Sequence, residues 1–170
     1  MSAIHRQVIS ANQNQLAGIG LPVFSPISGK ILPLTSHPEA LFSQGIMGCG
    51  LAMTLTGHKV FAPFDGSVEQ IRAGGTEFIL KSRQGIRMMI ALSIATDYLP
   101  LPGLCFYVQE GQQFKAQDAL FYADFRHVPQ PIFAAITVLN HDKLGGIYYC
   151  LQQARAPQDI LFHITARNKR

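Results

Sequence analysis

Val23–Ile31 reads VFSPISGKI, and Val60–Val68, 37 positions further on, reads VFAPFDGSV. Val, Phe, Pro and Gly recur in register. In each copy Pro presets φ for a turn and Gly supplies a position that a Cβ would obstruct. Each copy therefore reads as strand, tight turn, strand, and the pair reads as a duplicated β unit. Around it lie further short apolar runs separated by Gly, Pro or polar turns: residues 50–57, 76–82, 85–94, 104–114, 119–125, 133–140 and 159–166. Helical periodicity is weak, and only PEALFSQG (38–45) suggests a turn of helix. The expected fold is all-β, an antiparallel β-sandwich or partly closed barrel.

The chain has 170 residues, enough for one domain with a substantial core. Residues 1–20 are polar with few apolar positions and are expected to be a flexible N-terminal tail, with the domain running over 21–170. Only 14% of residues are charged, while 11 are Phe, so apolar surface for a protein partner is expected. The net charge of +4 is scattered except at the terminal ARNKR, which reads as a solvated tail; no nucleic-acid site is expected. Three widely spaced cysteines form no CxxC pair, so neither a zinc site nor a disulfide framework is indicated. No run reaches membrane-spanning length, and the expectation is a cytoplasmic protein without stable membrane insertion.

Glu110-Gly111 and the following Phe114 and Leu120 fit the hairpin pattern of biotinyl and lipoyl carrier domains. The exposed lysine that carries the cofactor there has no counterpart, and no cofactor is expected.

The segments 23–34 (VFSPISGKILPL), 39–53 (EALFSQGIMGCGLAM) and 57–71 (GHKVFAPFDGSVEQI) resemble the glucose-type enzyme IIA of the bacterial phosphoenolpyruvate–sugar phosphotransferase system. The resemblance rests on Pro26, Gly29, Gly48, Gly50, Ala52, Gly57, Ala62, Pro63, Asp65, Gly66 and Val68, and it implies the family's β-sandwich. It also implies a phosphoryl group taken from the small carrier HPr onto a histidine, with a second histidine beside it. Gly85, the apolar run after it, Ile94 and Thr96 keep the register of the phosphorylation signature, which puts Ala91 at the accepting histidine and Ser93 at the glycine that follows. Matching EFIL (77–80) to the strand behind the supporting histidine puts Thr76 at that position. Both imidazoles are thus absent, and with them the family's metal site.

The family's docking ring maps to Leu41, Phe42, Ile46 and Met47, with Met89 behind the strand, around a depression at Ala91 and Ser93. Arg72 stands at an aromatic position of that ring, and Glu77 and Asp97 add charge nearby. None of His5, His37, His58, His127, His141 and His163 falls at a matching position. The expected function is a catalytically inactive, regulatory or protein-interaction relative of enzyme IIA. It would meet phosphotransferase components or their regulatory targets through the apolar face. The alternatives are a phosphocarrier using an unconventional residue such as Thr76 or Ser93, and a small-molecule-binding or structural β domain unrelated to sugar transport.

Overall fold

The computed structural model describes residues 7–16 and 18–167. Its strands are β1 Val8–Ser10, β2 Leu21–Phe24, β3 Gly29–Pro33, β4 Cys49–Leu55, β5 Lys59–Phe61, β6 Gly66–Arg72, β7 Glu77–Ser82 and β8 Arg87–Leu92. There follow β9 Cys105–Phe106, β10 Gln113–Phe114, β11 Ala119–Tyr122, β12 Phe133–Val138, β13 Leu144–Tyr149, β14 Gln153–Ala154 and β15 Ile160–Ala166. Two short helices, α1 Gln13–Leu16 and α2 Ala40–Ser43, complete the elements used below.

The main layer is an eight-stranded sheet ordered β10-β6-β7-β8-β12-β4-β3-β14. Sheets β1-β13-β15-β2 and β5-β11-β9 close over one of its faces. Every pairing is antiparallel except that of β1 with β13. The duplication is visible in the pairing. The Phe24 N–H donates to the Pro63 carbonyl at 2.9 Å and the Phe61 N–H to the Pro26 carbonyl at 2.8 Å, so the copies bond reciprocally. Lys30 pairs with Gln153 as Ser67 pairs with Gln113. The strand order is correspondingly symmetric about the β8·β12 seam, and Ala91 faces Ala135 across it.

Alternation sets the inside. Met88, Ile90 and Leu92 of β8, Phe78 and Leu80 of β7, and Leu51 and Met53 of β4 enter the large core between the layers. The intervening residues point to the opposite face, which is also covered at its centre. For that reason β8 reads as an unbroken apolar run. Cys49 lies in the large core, where burial pushes its thiol up to about 12. A maleimide at about pH 8 is therefore expected to label the exposed Cys105 and spare Cys49, as peptide mass mapping would show.

Two expectations change, and one strand was not expected. Residues 8–16, read as tail, are docked: β1 takes the edge of β13 (Val8 opposite Ile147), and Leu16 is buried. Backbone pairing to an open sheet edge needs no apolar pattern, so the polar sequence hid it. Residues 1–6 and the terminal 168–170 lie outside the described residues. The run 104–114 is not one strand but two, β9 and β10, because the intervening Glu110-Gly111 turn crosses to β6: the Gly111 N–H donates to Val68 at 2.7 Å and Glu110 accepts from the Ile71 N–H at 2.9 Å. β13 carries Gly145 and Gly146, which mask its strand character in the sequence.

Candidate functional site

The outer face of the eight-stranded sheet is covered at its centre by residues 34–47, which contain a 3-10 turn at Leu34–Ser36 and α2. Beneath this segment lies a second apolar cluster of Leu34, Phe42, Ala52, Ile79, Met89, Ala91 and Ala135, flanked by Met47. The covering segment folds back on itself through bonds from the Gly45 N–H to Phe42 (2.9 Å) and from the Met47 N–H to Leu41 (3.1 Å). It consequently buries Phe42 and turns Leu41 and Ile46 outward, with Ile46 61% exposed.

Of the expected ring, Leu41 and Ile46 are surface, Met47 is half-buried, and Phe42 and Met89 are floor. Met89 is not behind the strand. It shares the outer face with Ala91, two residues on, as period-2 alternation requires. Ala91 is only 3% exposed and packed within the cluster, so the expected depression at this residue is filled. Glu77 pairs with Ala91, and the Leu92 N–H donates to the Thr76 carbonyl at 2.7 Å, so the positions matched to the two family histidines are neighbours across β7 and β8. The Thr76 hydroxyl donates to the Ala73 carbonyl at 3.0 Å within a tight turn. Arg72 and Glu77 approach each other at 3.7 Å, so the charges added near this site partly offset one another. Asp97 is exposed in the turn Thr96–Tyr98.

One side chain here was not expected. His37, buried at 3% exposure, lies over the end of β8 with its Nε2 3.3 Å from the Ser93 hydroxyl. Its ring packs on Phe42 (centroids 4.8 Å apart) and Phe133 (5.9 Å). The Glu39 N–H donates to Nδ1 at 3.0 Å, which places the neutral ring's proton on Nε2 and makes Ser93 the acceptor. Burial lowers the affinity of this imidazole for a proton below the ordinary histidine value, opposed by the nearby Glu39 carboxylate. The local half of this arrangement was legible, since a side-chain acceptor two residues before a backbone N–H is a common turn device. The half that matters spans 56 residues of sequence.

The other described histidines stay apart. His58 accepts from the Phe125 N–H at 3.2 Å, His141 meets Gln7 at 3.0 Å, His127 is exposed, and His163 is half-buried in β15.

Residues 21–143 match the family model described as phosphoenolpyruvate-dependent sugar phosphotransferase system, EIIA 1. The chain belongs to this EIIA family. It is 32% identical over 142 residues to the mannose-specific EIIBCA component of the phosphotransferase system of Corynebacterium glutamicum, a match covering 82% of this chain and 21% of that protein. It is 27% identical over 132 residues to the glucose-specific EIIA component of Haemophilus influenzae, covering 76% of this chain and 80% of that protein. The chain thus spans about a fifth of the Corynebacterium relative and most of the Haemophilus one. The structure of the glucose permease IIA from Mycoplasma capricolum superposes with a TM-score of 0.69 over 84% of this chain and 94% of that one, at 20% identity, which establishes the shared fold.

Within this EIIA fold the described residues contain no group of three or more His, Cys, Asp or Glu placed to hold a metal ion. No described helix is long and apolar enough to cross a membrane. The centre of the EIIA sheet presents an apolar surface, two hydroxyls and a buried imidazole. Apolar contact is what that combination can do best.

Proposed function

We propose that this EIIA-family protein is a docking and regulatory module of the bacterial cytoplasm that is not phosphorylated on histidine. The observation that carries the reading is that Thr stands at 76, one residue before β7 and bonded to Leu92, and Ala at 91 in β8, with no free imidazole nitrogen at either place. Phosphoryl transfer to an imidazole needs an unprotonated ring nitrogen open to the donor. His37 offers neither nitrogen, because Nδ1 takes the Glu39 N–H and Nε2 carries the proton. The exposed Leu41 and Ile46 above a filled cluster support a surface that receives another protein, such as a phosphotransferase component or a regulatory target.

Incubation with enzyme I, HPr and labelled phosphoenolpyruvate is expected to leave the protein unlabelled. An acid-labile label would overturn the reading. The His37–Ser93 contact favours a second reading, in which Ser93 Oγ attacks the phosphohistidine of HPr and Nε2 of His37 takes the hydroxyl proton as the new P–O bond forms and the P–N bond breaks. That step requires the other ring tautomer, against the Glu39 N–H. Its mark would be an acid-stable label that Ser93→Ala abolishes.

A further inference from the structure

His37 ties the covering segment to the sheet at this place. Its Nε2 reaches Ser93 at the end of β8, its Nδ1 takes the Glu39 N–H, and its ring packs at a tilt against Phe42 of α2. The Ser93 N–H is already committed to the Phe133 carbonyl at 2.8 Å, so Ser93 is rigid and serves as an anchor for the covering segment. Through Phe42 the same ring sets the height of α2 and therefore of Leu41 and Ile46.

This arrangement tolerates only a neutral ring. An imidazolium carries protons on both nitrogens, and its Nδ1–H would face the Glu39 N–H at a donor–acceptor spacing of 3.0 Å. The elements packed on the ring contribute Phe42, Ser93 and Phe133, none of which carries charge to compensate. Among the described residues, the charged group acting on it is Glu39, an exposed residue of the covering segment itself, which would draw a charged ring out toward solvent.

We propose that His37 is the positioning residue of the docking face and that its proton switches that face: the neutral ring fastens residues 34–47 over β8, and the charged ring releases them. The proposal rests on reading this face as the docking surface. The sign follows from burial. Because the folded ring binds a proton less readily than a free histidine, the fastened state is fully favoured above the ordinary imidazole range, about 6.5. It is lost as the pH falls through the lowered value. Mildly acidic conditions would therefore loosen Leu41, Phe42 and Ile46 while the large core stays intact.

The test is an NMR titration of the whole chain from about pH 8 to about pH 4.5, following the His37 ring nitrogens and the amides of Phe42, Gly45, Ile46 and Met47. At the upper end the ring should be the Nε2–H tautomer. The four amides should then shift together, with one midpoint equal to that of the ring and below the free-histidine value. In His37→Asn, whose carboxamide oxygen can accept the Glu39 N–H at every pH, these shifts should disappear. A wild-type ring that titrates while the four amides stay still would overturn the proposal. So would an Nδ1–H tautomer, or His37→Asn amides that keep the wild-type midpoint. No partner or phosphoryl donor enters this titration. Failure of the docking reading would instead appear as label in the phosphoenolpyruvate assay, so the two failures are distinguishable.

Discussion

Gly66→Ala is expected to lower the stability by more than about 3 kcal/mol, and Gly29→Ala by a similar amount. The two glycines occupy equivalent places in the duplicated unit, at the start of β6 and of β3. A Cβ on Gly66 would fall onto the Lys81 carbonyl of β7, and one on Gly29 onto the Thr54 carbonyl of β4. The obstacle in each case is backbone, which cannot swing aside as a side chain can. Relief requires separating β6 from β7, or β3 from β4, and both pairs belong to the eight-stranded sheet. Gly57→Ala is the control: its Cβ would meet only the Ser28 side chain, at 3.7 Å, and a change within about 0.5 kcal/mol is expected. Urea unfolding with linear extrapolation measures all three. A loss below about 1 kcal/mol for Gly66→Ala would show that the turn relaxes in a way the close approach does not suggest.

Phe42→Ala is expected to cost about 3 kcal/mol, whereas Leu41→Asp and Ile46→Asp should stay within about 0.5 kcal/mol. The neighbours differ only in which way they face. Phe42 is buried in the second cluster and packs at a tilt against His37, so truncation leaves a cavity under α2 and removes one wall of the imidazole's site. Leu41 and Ile46 look outward and leave more than half of their surface to solvent. Hydrogen exchange should separate local from global effects. In Phe42→Ala the amides of Gly45 and Met47, which bond back to Phe42 and Leu41, should lose protection before those of β8 do. If the surface is a docking face, Ile46→Asp would abolish binding in a protein of unchanged stability.

How much was legible differs between the scaffold and the site. The repeat at 23–31 and 60–68 identified the duplicated unit because Pro and Gly act locally: each restricts its own φ or its own closest neighbour. The apolar runs at 50–57, 76–82, 85–94 and 133–140 became β4, β7, β8 and β12 because a strand covered on both faces needs nothing beyond continuous apolar residues. The same continuity concealed sidedness. Met89 was placed behind the strand, yet it lies on the outer face beside Ala91. Nothing in an unbroken run says which parity faces which layer.

The docking residues were partly legible for a related reason. Phe42, Ile46 and Leu41 sit in one short stretch, and their chemistry is alike. Only the turn-back of residues 42–47 decides that the first is floor and the other two are surface. His37 was set aside because it matches no family position. It reaches Ser93 through a contact that depends on how the 34–47 segment lies across the sheet.

By itself the sequence determined the all-β class, the internal duplication and the EIIA family. These follow from local stereochemistry and from residue identity, neither of which requires knowing what lies across the sheet. The tertiary structure decided the rest: β1 docked on β13, Ala91 sealed in a second apolar cluster, and His37 brought onto Ser93. Each of these is a pairing between distant segments, fixed by which edges and faces remain open once the strands have formed.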